Sequence, residues 1–460
     1  MIETLLLIFP LLYIALFLFA MSEILQGKYQ GALLFLIFGL PVYVTVLSIV
    51  FSNGFEAGMS YFQLAKEFII IVIAGICALQ FHGKPKFHTV DILILAFFLY
   101  TLLYVVLPVG GHGVINRMIA FKSSSFFALV YFAGRMFRAE HIYIRKYFKF
   151  ILLFSIFAGC VVLIEGALDE HFQLYTGFAD YNVNFLKYEA SGDEGLTFTF
   201  ETENGLKRFA SVYANPLEFA AGTLLALAVI ASLYTGDDYK LRPDNLGVIA
   251  LVFTFIAILL TISRAAFVSY FAMIYLYSWL TNKKQLIYTV NFVILSGIIF
   301  LFSVTSNEAL VKFIVNTINF TDSSSIGHVM DWLEGIAAIK EQPLGLGLGS
   351  SGRLAVSLGT NTGGHNQFLI VGVQTGVISM AIYLAIYISL IVTAWHWYYR
   401  LKGKANQVCL FVLLIKCGLF IPLFTSEIEA SPYISYMTWF FSGLLISLIM
   451  SHKNSLTSKI

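Results

Sequence analysis

Long apolar runs recur along almost the whole chain, and that recurrence limits the fold more than any motif does. A bilayer core takes roughly 17–25 apolar residues per helix, so the sequence predicts about thirteen spans, or 12–13 if the weakest fails. They lie near residues 4–21, 31–51, 64–81, 90–108, 118–137, 148–167, 213–234, 246–262, 265–281, 286–304, 366–396, 406–424 and 433–450. The run at 118–137 is the weakest, because Lys122 and the Ser123–Ser125 triplet interrupt it. Charged residues make up 12% of the 460 and hydrophobic residues 59%, too little charge to clothe a soluble core of this size. The expected class is an all-α polytopic membrane protein, with one membrane domain over 1–460. A net charge of +2 gives no footprint for nucleic acid. Cys77, Cys160, Cys409 and Cys417 all fall in apolar runs, with neither disulfide nor metal spacing. The opening residues MIET lack the basic region of a cleavable signal peptide.

Lysine and arginine set the orientation, since cytoplasmic loops carry the excess. Alternate connections hold Lys84 and Lys86; Arg138, Arg145 and Lys146; Lys240 and Arg242; Lys283 and Lys284; Arg400, Lys402 and Lys404; and Lys453 and Lys459. The C-terminal tail is therefore expected inside. The two long loops, 168–212 and 305–365, are expected outside, as is the short junction at Ser263–Arg264. Any chemistry then belongs to the outer face, where there is no ATP.

A few polar residues at that face need a reason. In "GGHNQFLIVGVQTG", His365, Leu369, Gly372 and Gly376 step by four, three and four, which would place them on one helical face. Gly372 and Gly376 have the spacing of a close helix contact. His365 is then either a site residue on the packed face or an interfacial histidine that only binds a loop. In "KRFASVYANPLEFAAG", Asn215 suits an N-cap, Pro216 the first helical position, and Glu218 the third, as in a capping box. Arg208 lies just outside that span, as a membrane anchor or a phosphate ligand. In "LLTISRAAFVSY", Arg264 separates two apolar runs with almost no loop, so it is an anchor or a charge with a partner. The segment "SSSIGHVMDWLEGIAAIKEQPLGLGLGSSGR" contains His328 and Trp332 on what should be an amphipathic interface helix, with Trp332 as its anchor. Its glycines suggest a flexible lid or acceptor loop, without the strand that a dinucleotide fingerprint needs. Arg353 closes it as an anchor or substrate contact. Glu427 and Glu429 are expected to pair with the outer arginines or to be solvated. No zinc-protease, carboxylate-cluster or nucleophile-elbow motif points to a metal or a serine hydrolase.

Four of these segments together resemble the O-antigen ligase and O-antigen polymerase superfamily. "HNQFLIVGVQTG" is similar to its HN-x-x-L-x(6)-G motif, and "RFASVYANPLEFA" to its arginine loop entering a helix through Asn-Pro. "TISRAAF" is similar to its Ser-Arg motif, and "PLGLGLG" to its Pro-Leu-Gly-x-Gly element. The order agrees, and the likeness covers about 205–395; the first half matches only as a run of spans. One position departs: His328 stands where many members carry arginine. The resemblance implies a helical glycosyltransferase of the GT-C type in a bacterial inner membrane, with its site facing the periplasm. It implies a donor glycan on undecaprenyl pyrophosphate, with no cofactor and no metal. His365, Arg208 and Arg264 would be catalytic, and His328, Asn215, Arg353, Asn366 and Glu218 would bind substrate. A flippase and a chain-length regulator of the same pathway would be partners.

Two acceptors fit. A polymerase extends glycan onto a lipid-linked repeat, and a ligase moves it onto lipid A–core. Two sizeable outer loops and the lack of a basic outer patch favour the polymerase. A lipid-linked glycan transporter is the rival class, kept open by Lys122 and Lys416 within spans.

Overall fold

The computed structural model describes residues 2–80, 86–137, 142–202, 205–303 and 323–457. Each predicted span falls on a helix, and among the described residues the only β pairing is two isolated bridges. Among the described residues, eight helices are individually long and apolar enough to cross a bilayer. The protein is thus an all-α multi-pass membrane protein. Of the expected outer loop 305–365, residues 305–322 lie outside the described part.

Where the helices differ from the expected spans, the backbone explains it. The run at 31–51 is a pair of helices, Tyr29–Phe38 and Tyr43–Ser52, bent by 66°. Pro41 lies in the break; it has no N–H to give and disfavours helix at Leu40. Asn245–Leu260 and Arg264–Leu280 are short, at 16 and 17 residues, and the turn between them puts Ile262 at φ +45.

The Pro216–Tyr234 helix is the central pillar. It is apolar on every side and buried from Pro216 to Leu233 with hardly a break, as a helix surrounded by other helices must be. Around it pack Ile144–Leu168, Asn245–Leu260, Arg264–Leu280 and Lys404–Phe420. On the far side, Val114–Met136 and Pro432–Thr457 touch backbone to backbone. A Cβ at Gly134 would lie 2.0 Å from the Phe440 carbonyl oxygen, and one at Gly443 2.0 Å from that of Tyr131.

The charges within spans are accounted for locally. Lys122 and Lys66 both reach Glu67 Oε1, at 3.1 and 2.9 Å. The ammonium of Lys416 lies 3.5 Å over the Trp439 ring, and Asp91 takes Arg135 and the Tyr131 hydroxyl. The lysines at Glu67 and the arginine at Asp91 are ion pairs, and Lys416 rests on an aromatic face.

Candidate functional site

One end of the helical bundle carries the candidate site, and its first part is held by a residue the motifs do not include. Glu165, at the end of Ile144–Leu168, accepts the backbone N–H groups of Phe172 at 2.9 Å and Ser211 at 2.7 Å. Ser211 sits at φ +54 and donates its hydroxyl to the Ala158 carbonyl at 2.7 Å. Gln173 donates to the carbonyls of Ser211 and Tyr213, both at 2.8 Å. Buried polar groups must be matched in this way, and here the matching fixes one path for the chain past residue 208.

Arg208 is thereby pressed against the junction of the next two helices. Its Nε donates to the Thr261 carbonyl at 3.2 Å, and the Phe209 N–H to the Leu260 carbonyl at 3.2 Å. Arg264 follows three residues later, at the first position of its helix, where a cation is opposed by the helix dipole. Burial lowers the Arg208 guanidinium to about 10, and the Arg264 charge adds to the effect. The two guanidinium charges thus act on each other beside a helix N-terminus, an arrangement suited to an anion.

The helix Ser323–Glu341 links this place to the histidine. Arg264 Nη1 donates to Ser325 Oγ at 3.1 Å. One turn on, the His328 ring stands edge-on to that of His365, with centroids 5.5 Å apart. One turn further, Asp331 Oδ2 lies 2.5 Å from His365 Nδ1. Trp332 donates its indole N–H to the Phe424 carbonyl at 2.9 Å, so it pins this helix to the bundle instead of anchoring it in lipid headgroups.

His365 is not on a helical face. It precedes the N-cap, at φ +65, and its side chain is 61% exposed, so its predicted register with Leu369 and Gly372 does not hold. A non-glycine residue in that region is strained, and such strain gathers at functional sites. Asn366 is the cap: its side-chain oxygen accepts from Phe368 and Leu369 at 3.0 and 3.2 Å. The helix Gln367–Tyr398 then breaks at Gly376, φ +86 and ψ 174. Phe368 packs against Tyr383 and Tyr387, so the two pieces fold back on each other. The "PLGLGLG" strip is not a loose lid. It closes the break, with Val377 N–H donating to Pro343, Leu346 to Val373 and Gly347 to Gln374, at 2.9, 2.7 and 3.0 Å. Irregular backbone at a span needs such partners.

The remaining predicted residues form a second group. Asn215 caps its helix through the Glu218 N–H at 3.0 Å. Among the described residues nothing hydrogen-bonds the Glu218 carboxylate, so the capping box stays half closed; the Arg353 charge acts on it from across the site. Glu427 accepts the Arg353 N–H at 2.7 Å. Burial raises the Glu427 carboxyl, while the charges of Arg353 and His365 oppose the rise. Glu429 is neither solvated nor paired with arginine: it accepts from Tyr383, Trp439 and Ser435 below. No described side chain forms an ion pair with the Arg353 guanidinium, which Tyr188 also faces. Glu427, expected to pair with an arginine or be solvated, thus meets Arg353, while Tyr188, Glu165 and Asp331 are additions to the site. Of these, Asp331 was readable, three residues after His328 on one helical face.

His328, Asp331 and His365 have donor atoms within 4.8 Å of one another, a set that could hold a metal ion. As it stands, the His365–Asp331 contact has the length of a short hydrogen bond between them.

The loop that positions Arg208 should be acid-sensitive. Burial, reinforced by Lys207, pushes His171 down to about 4 against Asp169 and Asp193. Its ring packs between Phe200 and Phe209, each at 5.3 Å, and its Nδ1 has no partner among the described residues. An unfolded histidine titrates near 6.5, so below that pH the unfolded loop takes up a proton the folded loop refuses. Stability is full above about pH 6.5 and falls with pH down to about 4, by up to ~1.4 kcal/mol per unit. Limited proteolysis within 168–212 should rise between pH 7 and pH 5, and His171→Phe should abolish the rise. An unchanged rise in that variant would refute the assignment.

Residues 249–384 match the family described as O-Antigen ligase. The matched stretch takes in Arg264, the Ser323–Glu341 helix and His365, and stops short of Arg208. No curated protein matches the chain.

Proposed function

We propose, from the domain of the O-antigen ligase and polymerase superfamily that this chain carries, that it polymerises a bacterial surface polysaccharide at the outer face of the inner membrane. The donor would be glycan on undecaprenyl pyrophosphate and the acceptor a second lipid-linked repeat. The observation that carries the reading is the run of contacts from Arg208 through Thr261, Arg264 and Ser325 to the helix that bears Asp331 and meets His365. It ties two guanidinium groups and an exposed imidazole to one stretch of chain, which favours a site for a diphosphate beside a base.

In this mechanism the acceptor hydroxyl attacks the donor sugar C1 and passes its proton to His365. The bond from C1 to the phosphate oxygen breaks, with inversion. The charge that develops on the departing undecaprenyl pyrophosphate falls on Arg208 and Arg264, which are already in place and need no reorganisation. Two guanidinium groups supply the neutralisation, so the reaction needs neither metal nor nucleotide. Glu218, Glu427 and Tyr188 gather around Arg353, and this second group would meet the sugar hydroxyls. A flippase delivering the donor and a chain-length regulator are the partners such a reaction calls for.

The test is incubation of the purified full-length protein with the lipid-linked repeat from its native host, in EDTA and without nucleotide. A ladder of longer lipid-linked glycans supports the proposal. Transfer only on addition of lipid A–core makes the chain a ligase. Movement of lipid-linked glycan across a vesicle membrane, without new glycosidic bonds, makes it a transporter.

A further inference from the structure

We infer that Asp331 is a positioning residue, which holds the His365 imidazole with its proton on Nδ1 and turns Nε2 toward the acceptor. The inference rests on the reading of His365 as the base. A carboxylate only accepts hydrogen bonds, so at 2.5 Å from Asp331 Oδ2 a neutral imidazole must carry its proton on Nδ1. The lone pair is then on Nε2, on the far side of the ring.

The contact is built in on both sides. The loop before His365 is seated on the helix before Asp331's own turn ends: a Cβ on Gly363 would fall 2.5 Å from Gly335 Cα and 2.9 Å from the Asp331 carbonyl oxygen. Trp332, the next residue, is tied to Phe424. The left-handed backbone of His365 is compatible with a side chain turned back to this helix, and the His328 ring stands edge-on to it with centroids 5.5 Å apart. Exposure points the same way. The His365 side chain is 61% exposed and that of Asp331 27%, and pairs so open to water add little to stability. What the pair fixes is a direction and a tautomer. When Nε2 takes the acceptor proton, Asp331 also faces the new imidazolium charge. The proton later leaves to water and the ring returns to its starting tautomer.

Four full-length proteins in nanodiscs, supplied with the lipid-linked repeat from the native host, decide it: Asp331→Ala, Asp331→Asn, His365→Ala, and the double variant His365→Ala with Asp331→Ala. Asp331→Ala should lower kcat about 100-fold, within the range for general-base catalysis, with donor KM within about twofold. Asp331→Asn, which still accepts from Nδ1–H, should recover part of that loss. In the His365→Ala background, Asp331→Ala should add nothing, because the carboxylate acts only through the ring. Nitrogen-15 spectra should show one neutral tautomer of His365 in the parent and a mixture in Asp331→Ala. If Asp331→Ala does not fold, Asp331→Asn carries the test, with about a tenfold fall in kcat expected. A kcat within threefold of the parent in the tested variant, a loss confined to KM, or an equal loss with and without His365 would each overturn the inference. An inactive His365→Ala beside an active Asp331→Ala defeats this inference alone. A fully active His365→Ala defeats the reading of the base beneath it.

Discussion

Replacing Arg264 with alanine is expected to lower the initial rate of glycan transfer about 10²–10³-fold, the loss that follows removal of one donor to a developing oxyanion. The reason is location. Arg264 opens its helix, where the dipole opposes it, and it shares its surroundings with the Arg208 charge, which helps lower that guanidinium to about 10. Arg264 also donates to Ser325 Oγ at 3.1 Å, so its loss should cost some thermal stability while transfer falls far more steeply. Arg264→Lys keeps the charge but not the two-pronged donor, and should fall between. Arg208→Ala should be comparably slow, with a further small loss of order from its Thr261 contact. Initial rates with the lipid-linked repeat, alongside melting curves, check both. An Arg264→Ala protein that is unstable yet transfers within threefold of the parent would mark the arginine as a structural anchor.

How far the sequence reaches is shown by what these residues share. Arg208, Arg264 and His365 could be picked out because each is a polar residue at the rim of an apolar run, where hydropathy makes exceptions visible. The helix cap at Asn215 was readable from local rules, whereas Asn366, expected only to bind substrate, also turns out to cap its helix. Glu165 was not readable. It lies inside a run that hydropathy reads as plain membrane helix, and its partner Ser211 is 46 residues away. Trp332 was misread because an indole that seeks one hydrogen bond is served equally by a lipid headgroup and by the Phe424 carbonyl. The fold-back at Gly376 was hidden too. Apolar residues dominate 366–396 on both sides of Gln374 and Thr375, and hydropathy does not register a change in backbone direction. The bend at 31–51 had a signal in Pro41, and its flanking residues are no less apolar for it.

Gly376→Ala is expected to be strongly disruptive, and Gly372→Ala nearly harmless, although the sequence presents the two as one spaced pair. At Gly376 the backbone takes φ +86 with ψ 174, a region closed to side chains. A Cβ there would also meet the Pro343 carbonyl oxygen at 2.6 Å and Leu344 backbone at 2.7 Å. Neither neighbour can yield, because Val377 N–H holds Pro343 and the next two loop amides hold Val373 and Gln374. Strain and overpacking together cost on the order of 2–6 kcal/mol. Relief would come from opening the fold-back, which carries Asn366 and His365 away from Asp331. At Gly372 a Cβ would meet the tips of Ile339 and Met380, at 2.6 and 3.0 Å, and flexible side-chain ends can swing aside. Thermal unfolding in detergent should therefore fall steeply for Gly376→Ala and by a degree or two for Gly372→Ala, with transfer lost only in the first. Equal behaviour of the two variants would mean that the break is not what places the histidine.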